Sequence, residues 1–171
     1  MARTPDSELL ELATELGGKL AARGWMLATA ESCTGGWVSM LLTSLPGSSA
    51  WFERGYVTYS NASKVELLGV PSALLDAVGA VAEDTAQAMA QGALRHSHAQ
   101  AALAITGIAG PGGGTREKPV GLVCYGWALA DGTTLTSTCR LDGDREEIRS
   151  RAVAAALRGM IELLGYGLLS P

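Results

Sequence analysis

Apolar and polar positions along the chain alternate with two different periods, and the switches between them mark out the elements. Leu9, Leu12, Ala13, Leu16 and Leu20 recur at the spacing of one helix face, opening at Thr4-Pro5 and closing at Gly24. Residues 25–30 form an apolar run too short for a helix, which predicts a buried strand. Glu31-Ser32-Cys33-Thr34-Gly35-Gly36 then leads into a second helical stretch ending near Leu45-Pro46-Gly47. Residues 55–60 have strand composition, and Asn61 is placed to cap a short helix carrying Lys64, after which Val70-Pro71 opens another connection. Residues 83–95 are Ala-rich and helical, and 101–105 read as a buried strand that empties into a Gly-rich segment, 107–114. Residues 120–129 and 133–141 predict a hairpin turned at Asp131-Gly132. From Asp144, with Glu147 at capping-box spacing, Ile148, Ala152, Ala156, Met160 and Leu164 repeat helically as far as Gly165.

Five strands interleaved with helices predict an α/β fold, a three-layer α/β/α sandwich around a five-stranded mixed sheet. At 171 residues and 47% hydrophobic, the chain suits one domain spanning 1–171, with no repeat or linker, so the Gly-rich segments are expected to be site loops. A net charge of −4, with no basic stripe interleaved with aromatics, excludes a sequence-independent nucleic-acid binder. No apolar run approaches the roughly 20 residues of a membrane span, and residues 1–11 lack the pattern of a secretion signal, so a cytoplasmic protein is expected. Cys33, Cys124 and Cys139 contain no C-x-x-C pair, and His96 and His98, two apart on a helix, point to different faces. Neither a disulfide framework nor a metal site is expected, and no cofactor.

In open α/β sheets ligands bind beyond the carboxyl ends of the strands, and Ser32, residues 59–61 and Thr106-Gly107 each stand where a strand runs out. Ser32 precedes a helix start whose backbone N–H groups suit an oxyanion; equally, Ser32 or Thr34 is a plain helix cap. Both histidines fall at the far end of a helix, so the base for a serine nucleophile falls instead to Lys64, five residues past Tyr59, provided its pKa is lowered. Tyr59 would orient it or relay a proton. A solvated Lys64 and a half-buried strand Tyr59 are the bland alternatives. The Gly-rich segment is neither a Walker loop nor G-x-G-x-x-G, and is either a flexible turn or a ligand cradle. Arg145 and Arg149 start the last helix, where its dipole disfavours cations; a bound anion would explain them, and so would ion pairs with Asp142, Asp144, Glu146 and Glu147.

Five ordered blocks, residues 29–36, 55–61, 106–111, 118–121 and 143–145, together resemble the C-terminal domain of the competence/damage-inducible CinA family, over about residues 7–164. The resemblance implies a metal- and cofactor-free deamidase that hydrolyses the carboxamide of nicotinamide mononucleotide, and homo-oligomers are usual in the family. It implies a nucleophile at Ser32, assistance from Tyr59 and Lys64, and a hydroxyl near the nucleophile at Thr106. Arg145 matches the family's glycine-aspartate-arginine motif. Thr34, Gly35, Gly36, Asn61, Gly107, Gly110 and Arg145 form the candidate substrate-binding set. Gly112 stands where many members have aspartate, and Leu141 where many have phenylalanine. A catalytically silent nucleotide-sensing module is the alternative of another class, and Ser32, Tyr59 and Lys64 occurring together speak for catalysis. A serine amidase for a different small amide would share all three.

Overall fold

The computed structural model describes residues 3, 4 and 6–166. Pro5, expected at the first helical position, lies outside the described residues. In chain order the elements are α1 (Asp6–Arg23), β1 (Leu27–Glu31), α2 (Trp37–Thr43), a 3-10 turn (Ser48–Ala50), β2 (Phe52–Val57), α3 (Asn61–Leu68), α4 (Ser72–Val78), α5 (Glu83–Arg95), β3 (Ala101–Gly107), β4 (Leu122–Leu129), β5 (Thr134–Arg140) and α6 (Arg145–Tyr166). The strands form one mixed sheet in the order β2-β1-β3-β4-β5. β1 runs parallel to β2 and β3, while β4 and β5 add an antiparallel edge. The expected five-stranded mixed sandwich is the observed one. Among the described residues no helix is long and apolar enough to cross a membrane.

Because side chains alternate across a strand, each face of the sheet has its own character. One face presents Leu27, Leu103, Ile105, Tyr125 and Trp127 to α1, α2 and α6. Trp127 stacks on Tyr125 at 5.6 Å between ring centroids and donates its indole N–H to the Ala156 carbonyl at 2.9 Å. The other face presents Ala28, Ala30, Ala102, Ala104 and Ala128, with Tyr56 at the β2 edge, to the packing residues of α3, α4 and α5. Gly126 belongs to this small-residue face: a Cβ there would lie 2.3 Å from the Ala86 carbonyl oxygen of α5. α5 in turn meets the end of α3 at Gly92, where a Cβ would lie 2.1 Å from the Leu68 carbonyl oxygen.

Three local features differ from expectation. β2 begins at Phe52 and ends at Val57, because the charged pair Glu53-Arg54 is acceptable on an edge strand, where the two side chains bond to each other at 2.6 Å. α3 is capped by Ser60 rather than Asn61: the Ser60 hydroxyl accepts the Ser63 N–H at 3.1 Å, which makes Asn61 the first helical residue. α4 is a seven-residue helix behind Pro71, too short to show a period. The last helix starts as expected, with Asp144 and Glu147 each accepting the other's backbone N–H, at 2.9 and 2.7 Å.

Contact and propensity make opposite demands at two helical glycines. Gly92→Ala should destabilise the protein by about 1–3 kcal/mol, the overpacking range, although alanine is the better helix former. Gly18→Ala in α1, where a Cβ meets nothing within 4 Å, should stabilise it by about 0.5–1 kcal/mol. Urea unfolding of both variants checks the pair; a stabilised Gly92→Ala would mean that α3 moves away freely.

Candidate active site

The parallel register delivers three hydroxyl residues to one edge. Glu31 is paired with Val57 on one side and Ile105 on the other, so the next residues on the three strands are Thr58, Ser32 and Thr106. Backbone bonds continue the ladder by one step, from Ser32 N–H to the Ile105 carbonyl and from Thr58 N–H to the Glu31 carbonyl, both at 2.9 Å. Ser32 is thereby held by the sheet although it has left the strand.

Lys64 lies in the first turn of α3, and helical side chains lean toward the N-terminus of their own helix. It reaches back over the strand ends, where its Nζ lies 3.0 Å from Ser32 Oγ and donates to the Thr58 carbonyl at 2.6 Å. Lys64 is 1% exposed and has no carboxylate partner among the described residues. Burial without a counter-charge favours the neutral amine, so its pKa falls below the ordinary lysine value. The solvated lysine is excluded. Burial has the opposite consequence for the neighbouring Cys33 thiol, which is pushed up to about 12 and kept protonated.

A cleft of about 270 Å³ opens over this pair, lined by Ser32, Cys33, Tyr59, Lys64, Ala80, Val81, Thr106, Arg145 and the Gly-rich residues Gly107, Gly110, Gly112 and Gly113. The Gly-rich segment is thus a wall of the cleft. Thr106 donates its hydroxyl to the Ala80 carbonyl at 2.8 Å and is itself buried. Tyr59 lies beyond the end of β2 and is 62% exposed, not a half-buried strand residue. Arg145 closes the outer side, donating to the Gly110 carbonyl at 2.7 Å and to the Tyr59 hydroxyl at 3.1 Å. Among the described residues neither Arg145 nor Arg149 pairs with a carboxylate, so the ion-pair network is not what holds them.

The rest of the candidate set is placed elsewhere. Asn61 is exposed and lies outside the residues lining the cleft. Gly35 and Gly36 line a second, larger cleft of about 570 Å³ on the other side of Arg145, together with Trp37, Met40, Glu146 and Arg149. Thr34 is buried beneath it. The helix-start N–H groups expected to face an oxyanion are occupied by Glu31, which sequence reasoning passed over. This fully buried carboxylate accepts from Thr34 Oγ1, Gly36 N–H and Val38 N–H through Oε2, at 2.8 to 3.1 Å. Through Oε1 it accepts from the Ser39 N–H and hydroxyl, both at 2.9 Å. The signal was present: an acidic residue closing an apolar strand needs donors, and the start of the next helix supplies them.

The sheet, both clefts and the Gly-rich wall fall within residues 9–164, which match the profile of the CinA C-terminal domain, and the chain belongs to that family. It is 50% identical over 153 residues to nicotinamide-nucleotide amidohydrolase PncC of Escherichia coli (strain K12), covering 90% of this chain and 93% of that protein. Its similarity to the PncC of Pseudomonas putida is also 50% over 153 residues, covering 89% and 94%. Among solved structures, competence/damage inducible protein CihA from Agrobacterium tumefaciens superposes with a TM-score of 0.90 at 45% identity, covering 95% of this chain and 98% of that one.

Glu31→Gln keeps the shape of the side chain but turns an amide NH₂ toward backbone donors. It should lower the unfolding free energy by about 1–3 kcal/mol, the penalty for a buried donor left without an acceptor. Urea denaturation measures this, and wild-type stability would show that water satisfies those donors.

Proposed function

We propose that the chain is an amidohydrolase of nicotinamide nucleotides, converting nicotinamide mononucleotide and water to nicotinate mononucleotide and ammonia. The observation that carries this reading is the buried Lys64 Nζ set 3.0 Å from Ser32 Oγ at the floor of a cleft. It is supported by a chain half identical to proteins named for that activity.

In the reaction, neutral Lys64 keeps one N–H on the Thr58 carbonyl and turns its lone pair to the Ser32 hydroxyl. Ser32 Oγ attacks the carboxamide carbon as its proton passes to Lys64. The tetrahedral intermediate collapses by breaking the C–N bond, and Lys64 returns the proton to the departing ammonia. Water, deprotonated by Lys64 in turn, then hydrolyses the ester and frees Ser32 with the carboxylate product. Thr106 keeps the neighbouring wall in place through its bond to Ala80, while Tyr59 and Arg145 bound the side from which substrate enters. A phosphate is the one strong handle remote from the amide, and Arg145, a cation without a carboxylate partner at the head of α6, is the group to receive it. Binding energy gained there positions the carboxamide.

Ammonia release from nicotinamide mononucleotide tests the activity directly, and Ser32→Ala should reduce turnover by roughly a thousandfold or more while still binding substrate. Near wild-type turnover in that variant would replace the serine mechanism with direct attack by water. The lowered Lys64 pKa sets the sign of the pH dependence. The working form is the neutral amine, so activity should climb with pH through an ionisation below the free lysine value of ~10.4, and Lys64→Met should remove that ionisation with the activity. A pH profile unchanged in Lys64→Met would place the base elsewhere.

A further inference from the structure

We infer that Arg149 is a positioning residue, whose guanidinium holds the turn that aims Ser32. The inference rests on the proposed serine mechanism. Arg149 lies one helical turn beyond Arg145 on α6, and its Nε donates to the Cys33 carbonyl at 3.1 Å and its Nη2 to the Thr34 carbonyl at 3.0 Å. These are the carbonyls of the two residues that follow the nucleophile. The guanidinium also lies over the Trp37 ring, 5.2 Å from its centroid, on the first residue of α2.

The turn needs such a hold because Gly35 and Gly36 both take left-handed backbone conformations, with φ of 61° and 97°, and glycine is the least restrained residue there. From below, the Glu31 carboxylate takes up N–H and O–H donors of the turn and of α2. From above, the Arg149 guanidinium takes up acceptors. A carboxylate can only accept and a guanidinium can only donate, so between them they satisfy opposite sides of the same backbone. Glu31 belongs to the strand, whereas Arg149 belongs to α6, packed beside α1 on the same face of the sheet, so the clamp also joins the nucleophile to a separate element. Lysine cannot replace it: a single ammonium has neither the fork that spans two carbonyls nor the flat face that lies over an indole.

The test compares wild type, Arg149→Ala and Arg149→Lys in three measurements. Turnover is followed on nicotinamide mononucleotide and on nicotinamide riboside, which lacks the phosphate. Sulfonylation of Ser32 by phenylmethylsulfonyl fluoride is timed by intact mass, and thermal unfolding is recorded alongside. Positioning predicts that kcat falls about 10–100-fold on both substrates in Arg149→Ala, as for a small misplacement of a reacting group. KM should change little, Ser32 labelling should slow in parallel, and methylguanidinium should restore part of both. Arg149→Lys, which keeps the charge, should remain slow, and it serves as the test should the alanine variant fail to fold.

Labelling and kcat at wild-type levels in both variants would overturn the inference. A loss confined to the phosphorylated substrate would overturn it too, making Arg149 a ligand of the phosphate. A lowered unfolding temperature with unchanged kcat in the folded fraction would reduce its role to stability. If instead wild-type Ser32 takes no label and Ser32→Ala keeps its turnover, the serine mechanism itself falls, and the role of Arg149 with it.

Discussion

A carboxylate taken wholly out of water must be met by donors, and the site grows from the way Glu31 meets that demand. Its two oxygens receive five hydrogen bonds, all from the turn and helix that immediately follow it. The same bonds end β1, start α2 without a side-chain cap from Gly36, and leave Ser32 at the one position between strand and turn. A helix start usually offers its free N–H groups to a ligand. Here an internal acid consumes them, so this helix start is an anchor.

Lys64 is the second ionisable group removed from water beside Ser32, and it is treated in the opposite way. Glu31 is surrounded by donors suited to its charge, while Lys64 touches a carbonyl and a hydroxyl and no acid. The fold therefore spends its polar partners on the residue that fixes geometry and withholds them from the proposed base. In the proposed mechanism that asymmetry is what lets a side chain that is ordinarily a cation act as a base without help from a histidine.

Much of this was legible along the chain. The alanine-rich composition of α5, the 3.6-residue period of α6, the capping pair Asp144 and Glu147, and the Asp131-Gly132 turn are local signals, and each element lies where its signal put it. The convergence of Ser32, Lys64 and Thr106 was readable because strand ends in a parallel arrangement share one edge, and the register then set Thr58 beside them. What was not legible depended on partners distant in sequence. Glu53 and Arg54 concealed the start of β2 because an edge position is a property of the sheet. Thr34, Gly35 and Gly36 looked open to a ligand because the acid beneath them is hidden until the strand is folded over α2. Arg149 was read as facing either a bound anion or neighbouring acids, and its actual partners were hidden because the two carbonyls lie more than a hundred residues earlier.

The small-residue face of the sheet has a consequence for chemistry carried out at its rim. α3 carries Lys64, the sheet carries Ser32, and α5 packs beside α3 on the same face of the sheet, its backbone close to the sheet at Gly126 and to the end of α3 at Gly92. These two approaches act as a gauge: backbone meets backbone at both, and a single methyl group at either would force the elements apart. The seating of α3, and with it the reach of Lys64 toward Ser32, thus depends on contacts remote from both. The opposite layer has tight points of its own, since a Cβ at Gly159 of α6 would lie 2.1 Å from the Trp127 ring and one at Gly17 of α1 2.7 Å from the Trp51 ring, but there the neighbour is a side chain. A methyl group added at Gly126 or Gly92 must therefore move backbone, whereas one added at Gly17 or Gly159 meets an indole ring.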